Sequence, residues 1–99
     1  MSKQADFPQG YTVLHHAVIL NREDLVDKFL TGGANPNIQT RDSCFTPLHI
    51  ALKQHRRNMA LRLVQGGAEV DIRDMTGVAP IDMADPELQA LMDGIIIDN

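Results

Sequence analysis

Tryptophan is absent from this 99-residue chain, and tyrosine and cysteine each occur once. With aromatics at 4% of residues, a large aromatic-centred sandwich is excluded, and Leu, Val, Ile, Met and Ala are left to build a core of closely packed helices. A single cysteine excludes an intrachain disulfide, which fits a reducing compartment, the cytoplasm or the nucleus. No apolar run approaches the roughly 18 residues of a membrane span; the longest is "GIII" near the end. The first twenty residues lack the basic start, apolar stretch and small-residue cleavage site of a signal peptide, so no membrane association is expected. The length sits at the lower end of the single-domain range, so one core or one short array is the ceiling.

Cations are also in short supply, with nine Lys and Arg against thirteen Asp and Glu and a net charge of −4. Such a balance argues against a nucleic-acid binder, which needs a basic excess to neutralise phosphates. The charge is unevenly spread. Residues 1–40 carry three cations and four anions, residues 41–73 six and three, and residues 74–99 none and six, giving a basic middle beside an acidic end.

What the chain does contain is itself. A shift of 34 positions lays Thr12, Leu14, His15, Ala17, Gly32, Gly33 and Ala34 over Thr46, Leu48, His49, Ala51, Gly66, Gly67 and Ala68. A shorter copy follows 33 positions later, with Ala79, Pro80, Ile81, Asp82 and Ala84 in the corresponding slots. Self-similarity at such a period marks a repeat array. Thr46 followed by Pro47 is a helix start, and His49 falls where a polar side chain reaches back to the cap. Leu48, Ala51 and Leu52 share one face, as do Leu14, Ala17 and Val18, which predicts a helix of about two turns. Asn21 and His55, residue types tolerant of the left-handed conformation, mark its end. A second helix buries Leu25, Val26, Phe29 and Leu30, matched by Met59, Ala60, Leu63 and Val64, and stops at Gly32-Gly33 or Gly66-Gly67. "DMTG", with Asp74 first and Gly77 last, reads as a type I turn.

This pattern resembles the ankyrin repeat, whose signature includes T-P-L-H-x-A and a G-A-D-x-N stretch before a hairpin loop; "TPLHIALKQHRRNMALRLVQGGAEVD" carries the match most specifically. The resemblance implies an all-α solenoid of stacked antiparallel helix pairs with short β-hairpin loops, and a role in protein–protein binding. The expected organisation is an N-terminal arm over residues 1–9, repeats over 10–43 and 44–77, a truncated capping repeat over 78–93 and a C-terminal tail over 94–99. Repeat 3 is shortened: Ala17 to Phe29 and Ala51 to Leu63 each span twelve residues, but Ala84 to Leu91 only seven. "DPELQALM" restarts a helix at once, with Asp85 as cap, and Asp82 places an anion near a helix start that Ala79 cannot cap. Two and a half repeats lie near the minimum of about three that such arrays need, so Ile95, Ile96 and Ile97 are expected either to fold over the open end or to meet another subunit or protein.

Thr12, His15, Thr46, Pro47, His49 and Asp82 are thus assigned to helix capping. A zinc site at His15 and His49 is disfavoured, because packed helix axes lie about 8 to 10 Å apart whereas two ligands of one zinc must lie within roughly 4 Å. Cys44 beside His49 lacks the orienting third group and oxyanion hole of a nucleophile–base pair. No catalysis, metal or cofactor is expected. The basic run "KQHRR" reads as a solvated turn facing Glu23, Asp24 and Asp27 of repeat 1, or as an anion-seeking patch.

The functional expectation is positional. Tyr11, Phe45 and Val78 recur just before the Thr slot and should form a row along the hairpin fingers, with Tyr and Phe favoured as interface anchors. Ile19, Leu20, Ile50, Lys53 and Gln54 on the inner helices, with His16 one step round the first, should form the floor beside it. Arg41, Asp42, Ser43, Cys44, Arg73 and Met75 complete the finger set. The loop "NIQTRDSCFT" is one residue longer than its counterpart and holds Cys44 in the slot of Gly77. Because a non-glycine residue is penalised at positive φ, a different bend is expected there. The expected function is a module binding another protein through fingers and inner-helix face. Alternatives are an inhibitor or adaptor masking a transcription factor or kinase, and an assembly module that self-associates or docks on a larger protein through its repeat ends.

Overall fold

Thr12 and Thr46 each accept from the backbone N–H three residues on, and His15 and His49 accept from the Thr N–H in return at 3.0 Å. These reciprocal capping boxes start α1 (Val13–Ile19) and α3 (Pro47–Lys53). Asn21 and His55 then adopt φ of 58° and 59°, and the left-handed residue lets Arg22 and Arg56 N–H reach back to Ala17 and Ala51 carbonyls at 2.9 Å. The chain thereby reverses into α2 (Glu23–Thr31) and α4 (Arg57–Gln65). Gly33 and Gly67 repeat the same left-handed device at the ends of those helices.

The computed structural model describes residues 10–98, without the side chains of Ile97 and Asp98. The arm expected over residues 1–9 lies outside the described residues. Two further helices, α5 (Pro80–Met83) and α6 (Pro86–Asp98), complete an all-helical architecture without strands among the described residues. The inner helices α1, α3 and α5 stack in one row, α2, α4 and α6 in a second, and the core lies between. Leu14, Val18, Leu48, Met59, Leu63 and Met92 are essentially fully buried in it. Packing between the outer helices is tight enough that a Cβ at Gly66 would stand 2.6 Å from Leu30 Cδ1.

Repeat 3 keeps this plan with a compressed corner. Asp82 accepts from Ala79 N–H at 3.2 Å, half a capping box since alanine has no side-chain oxygen to return it. Asp85 caps α6 through Leu88 N–H at 2.8 Å, and Gln89 clamps the corner by donating to Ile81 and Ala84 carbonyls. The helix then runs unbroken to Asp98, so the stretch from residue 94 extends α6 along the stack. Ile95 packs against the core and Ile96 is half-exposed. Ile97 side-chain placement falls outside the described residues.

The basic run does not face repeat 1. Arg57 pairs with Asp85 at 3.2 Å and Glu87 at 3.7 Å, both in repeat 3. It is Arg62, further along α4, that meets Glu23 at 3.0 Å and also Asp27, while Asp24 pairs with Arg22, the residue just before its own helix. The basic middle of the chain therefore supplies one ionic link to each neighbouring repeat. Each is exposed and contributes little singly.

Candidate functional site

Between the helix pairs two loops project as fingers, residues 37–46 and 71–79, and each is fixed to an inner helix by a buried histidine. The His15 ring accepts from Thr12 N–H at Nδ1, and its Nε2 lies 2.9 Å from Phe45 O. A backbone amide can only donate and a carbonyl only accept, so this geometry selects the neutral, Nε2-protonated tautomer. Desolvation by burial accordingly lowers the His15 pKa from its ordinary 6.5, opposed by the bond to Phe45. His49 makes the same pair of bonds to Thr46 N–H and Val78 O, at 3.0 and 2.9 Å. With both ring nitrogens of each histidine engaged, neither is presented as a metal ligand or base.

The fingers are tied side by side. Met75 N–H donates to Ser43 O at 2.9 Å, and the Gln39 amide donates to both Cys44 O and Arg73 O at 3.0 and 2.9 Å. Below them Asn37 bridges to the next repeat by donating to Gly67 O and accepting from Glu69 N–H. Neither Gln39 nor Asn37 stood out in the sequence. The signal available was their 34-residue spacing from Arg73 and Asp71, which places each opposite the same slot of the neighbouring loop.

The first finger bends differently from its neighbour, though not at Cys44 itself. The Cys44 φ is 59°, in the same left-handed region as the 87° of Gly77. The extra residue is absorbed instead in the size of the turn. Cys44 N–H closes on Thr40 O, four residues back, where Gly77 N–H closes on Asp74 O, three back. Each loop is a tight turn closed by one further bond, Thr40 to Phe45 or Asp74 to Val78 at 2.9 Å, with no strand assigned.

Tyr11, Phe45 and Val78 are half-buried at equivalent places before their helices. The Tyr11 ring meets His15 and His16 edge-on, and the Phe45 ring leans on His49 with Lys53 Nζ 5.0 Å from its centroid. On the inner helices Ile19 and Gln54 are half-buried, Lys53 is exposed and Leu20 is 66% exposed. Arg41, Asp42, Arg73 and Met75 project from the fingers, and Ser43, Cys44 and His16 are half-buried. Ile50 is the exception. It is only 7% exposed and cannot form part of an open floor, because α3 packs against both α1 and α5.

At the far end of the stack a groove of about 380 Å³ opens between the second repeat's loop and α6, lined by Val64, Ala68, Val70, Asp71 and Ile96. Among the described residues no group of three or more His, Cys, Asp or Glu is placed to hold a metal ion. No helix among them is long and apolar enough to cross a membrane.

A family model for ankyrin repeats in three copies matches residues 1–74. Similar proteins include human protein phosphatase 1 regulatory subunit 27, 33% identical over 87% of this chain and 55% of that protein. The human 2-5A-dependent ribonuclease is 38% identical over 62% of the chain, and the zebrafish (Danio rerio) putative palmitoyltransferase ZDHHC13 33% over 77%. The chain spans 8% and 12% of those two relatives, respectively.

Proposed function

Because the chain belongs to the ankyrin-repeat family, whose repeats are generally protein–protein interaction modules, we propose that it binds a partner protein through its two fingers and the exposed part of the inner-helix face, without catalysis of its own. The observation that carries this reading is the half-buried row of Tyr11, Phe45 and Val78, in which histidine bonds hold the Phe45 and Val78 carbonyls and the Tyr11 ring rests edge-on against His15 and His16. Aromatic anchors on a preformed scaffold bind at low entropic cost. The site comprises Tyr11, His16, Ile19, Leu20, Arg41, Asp42, Ser43, Cys44, Phe45, Lys53, Gln54, Arg73, Met75 and Val78, acting in the cytoplasm or nucleus.

An adaptor or inhibitor role fits within this reading and is supported by the likeness to a phosphatase regulatory subunit. Purified protein phosphatase 1 is therefore a defined first partner to test, beside quantitative capture from lysate. A Tyr11→Ala, Phe45→Ala double variant that keeps its circular dichroism should lose partner binding by more than about tenfold. A folded double variant that retains every partner would sink the proposal.

The end groove with Ile96 46% exposed favours a second reading, self-association through the last repeat. Light scattering at two concentrations tests it: an Ile96→Glu variant should abolish any concentration-dependent mass.

A further inference from the structure

The end of repeat 1 is covered by the end of repeat 2. Leu30 packs against Gly66, and Asn37 is held on both sides, donating to Gly67 O and accepting from Glu69 N–H. A shift of 34 positions carries Leu30 to Val64 and Asn37 to Asp71, so the third repeat would have to cover these two in turn. It lacks the turn to do so. Leu88 and Met92 of α6 take the buried places that Met59 and Leu63 hold on α4, which sets Ile95 and Ile96 in the register of Gly66 and Gly67. The chain leaves α4 at those glycines, whereas α6 runs on to Asp98. The groove between the second repeat's loop and α6 therefore stays open, lined by Val64, Ala68, Val70 and Ile96.

Two acids complete the lining, and it contains no cation. Glu69 and Asp71 are both exposed, and among the described residues no cation lies within ion-pair distance of either. The nearest cation in the chain, Arg73, turns its guanidinium to Gly77 O at 2.8 Å. No lysine or arginine occurs from residue 74 onward. The change from Asn37 to Asp71 also narrows what can sit there. An asparagine amide both donates and accepts, but an aspartate carboxylate only accepts. Whatever covers Asp71 must bring a donor.

We propose that this groove binds a basic segment of a partner protein, with an apolar side chain seated against Val64, Val70 and Ile96 and a flanking lysine or arginine donating to Asp71 and Glu69. Opposite charges of this kind steer association and set register. The groove lies at the base of the second finger and shares no residue with the finger site, so the proposal does not rest on that reading. A second copy of the chain is the poorer occupant, because a two-fold contact sets the same acids against each other. A nucleic acid is repelled by the same acids.

The test uses the full chain, a capped peptide of alternating lysine and leucine, and its glutamine–leucine analogue. Amide NMR titrations at low and high salt give affinity and location. The lysine peptide should bind at least about tenfold tighter than the glutamine analogue, weaken with salt, and shift amides of residues 64–71 and 94–96. Glu69→Gln and Asp71→Asn should each weaken it about three- to tenfold, while Asp24→Asn, the same charge change on α2, should not. Ile96→Ala should weaken both peptides. Equal binding of the two peptides in the groove would overturn the basic occupant. Shifts confined to other residues, or no binding, would overturn the groove as a docking site. A concentration-dependent mass in light scattering without peptide, abolished by Ile96→Glu, would assign the groove to a second copy and overturn the proposal.

Discussion

The two fingers solve one problem with different chemistry. In the second, a carboxylate does the work: Asp74 gathers two backbone N–H groups and a hydroxyl, and a glycine takes the left-handed position without penalty. Hydrogen bonding, from the Thr76 hydroxyl first, holds the Asp74 carboxyl below its ordinary value. In the first, the equivalent residue is Thr40, buried and neutral, whose hydroxyl accepts from Phe45 N–H at 3.1 Å, and a cysteine occupies the left-handed position. The second finger closes by exposed electrostatics, the first by a buried hydroxyl and a bulkier residue under strain. Sequence alignment treats the two loops as copies with one insertion; their responses to perturbation should differ.

The largest contrast should come from the closing residues. Thr40→Val leaves Phe45 N–H without its side-chain acceptor in a buried setting and should cost about 1–3 kcal/mol in urea unfolding. Asp74→Ala should cost less, because water replaces the lost acceptor at an exposed turn. If Asp74→Ala proves the more damaging, the distinction between a buried and an exposed closure is wrong.

Next come the left-handed residues, whose substitutions should act with opposite signs. Cys44→Gly should stabilise by about 1 kcal/mol, and Gly77→Ala should destabilise by a similar amount. At Gly77 no atom lies within 4 Å of a built Cβ, so any cost there is backbone strain alone. Equal and negligible changes at both positions would remove strain as a difference between the fingers.

The smallest effect is one of pH and concerns the first finger, which His15 anchors. The native imidazole titrates below its ordinary 6.5, so between the two values the unfolded chain binds the proton first. The stability due to neutral His15 is complete above pH 6.5, falls as pH drops from there through the lowered native value, and levels off below it. Thermal melts across that window should show the decline, and a His15→Gln variant should lose that part of the slope.

Much of the fold was legible because its signals are local. Thr12 with His15 and Thr46 with His49 cap within three residues, Asn21 and His55 reverse the chain at one residue, and the glycine pairs end helices by the same means. None of these depends on what lies across the core. Ile50 was misplaced because its exposure depends on a helix thirty residues later, α5, packing against α3. The partners of the basic run were misplaced for a related reason: Arg57 reaches forward to repeat 3, and it is Arg62, five residues on along α4 and outside the run, that reaches back to repeat 1.

By itself, then, the sequence determined the repeat unit, its caps and its turning points, since each is a contest among interactions within about five residues. Only the stacking of one unit on the next decided which cations were spent on neighbouring repeats, how Gln39 and Asn37 tied loop to loop, and which of the inner-helix residues stayed open. Those outcomes rest on contacts about thirty residues apart in the chain, which a repeated pattern allows at every copy and tertiary packing grants to each copy differently.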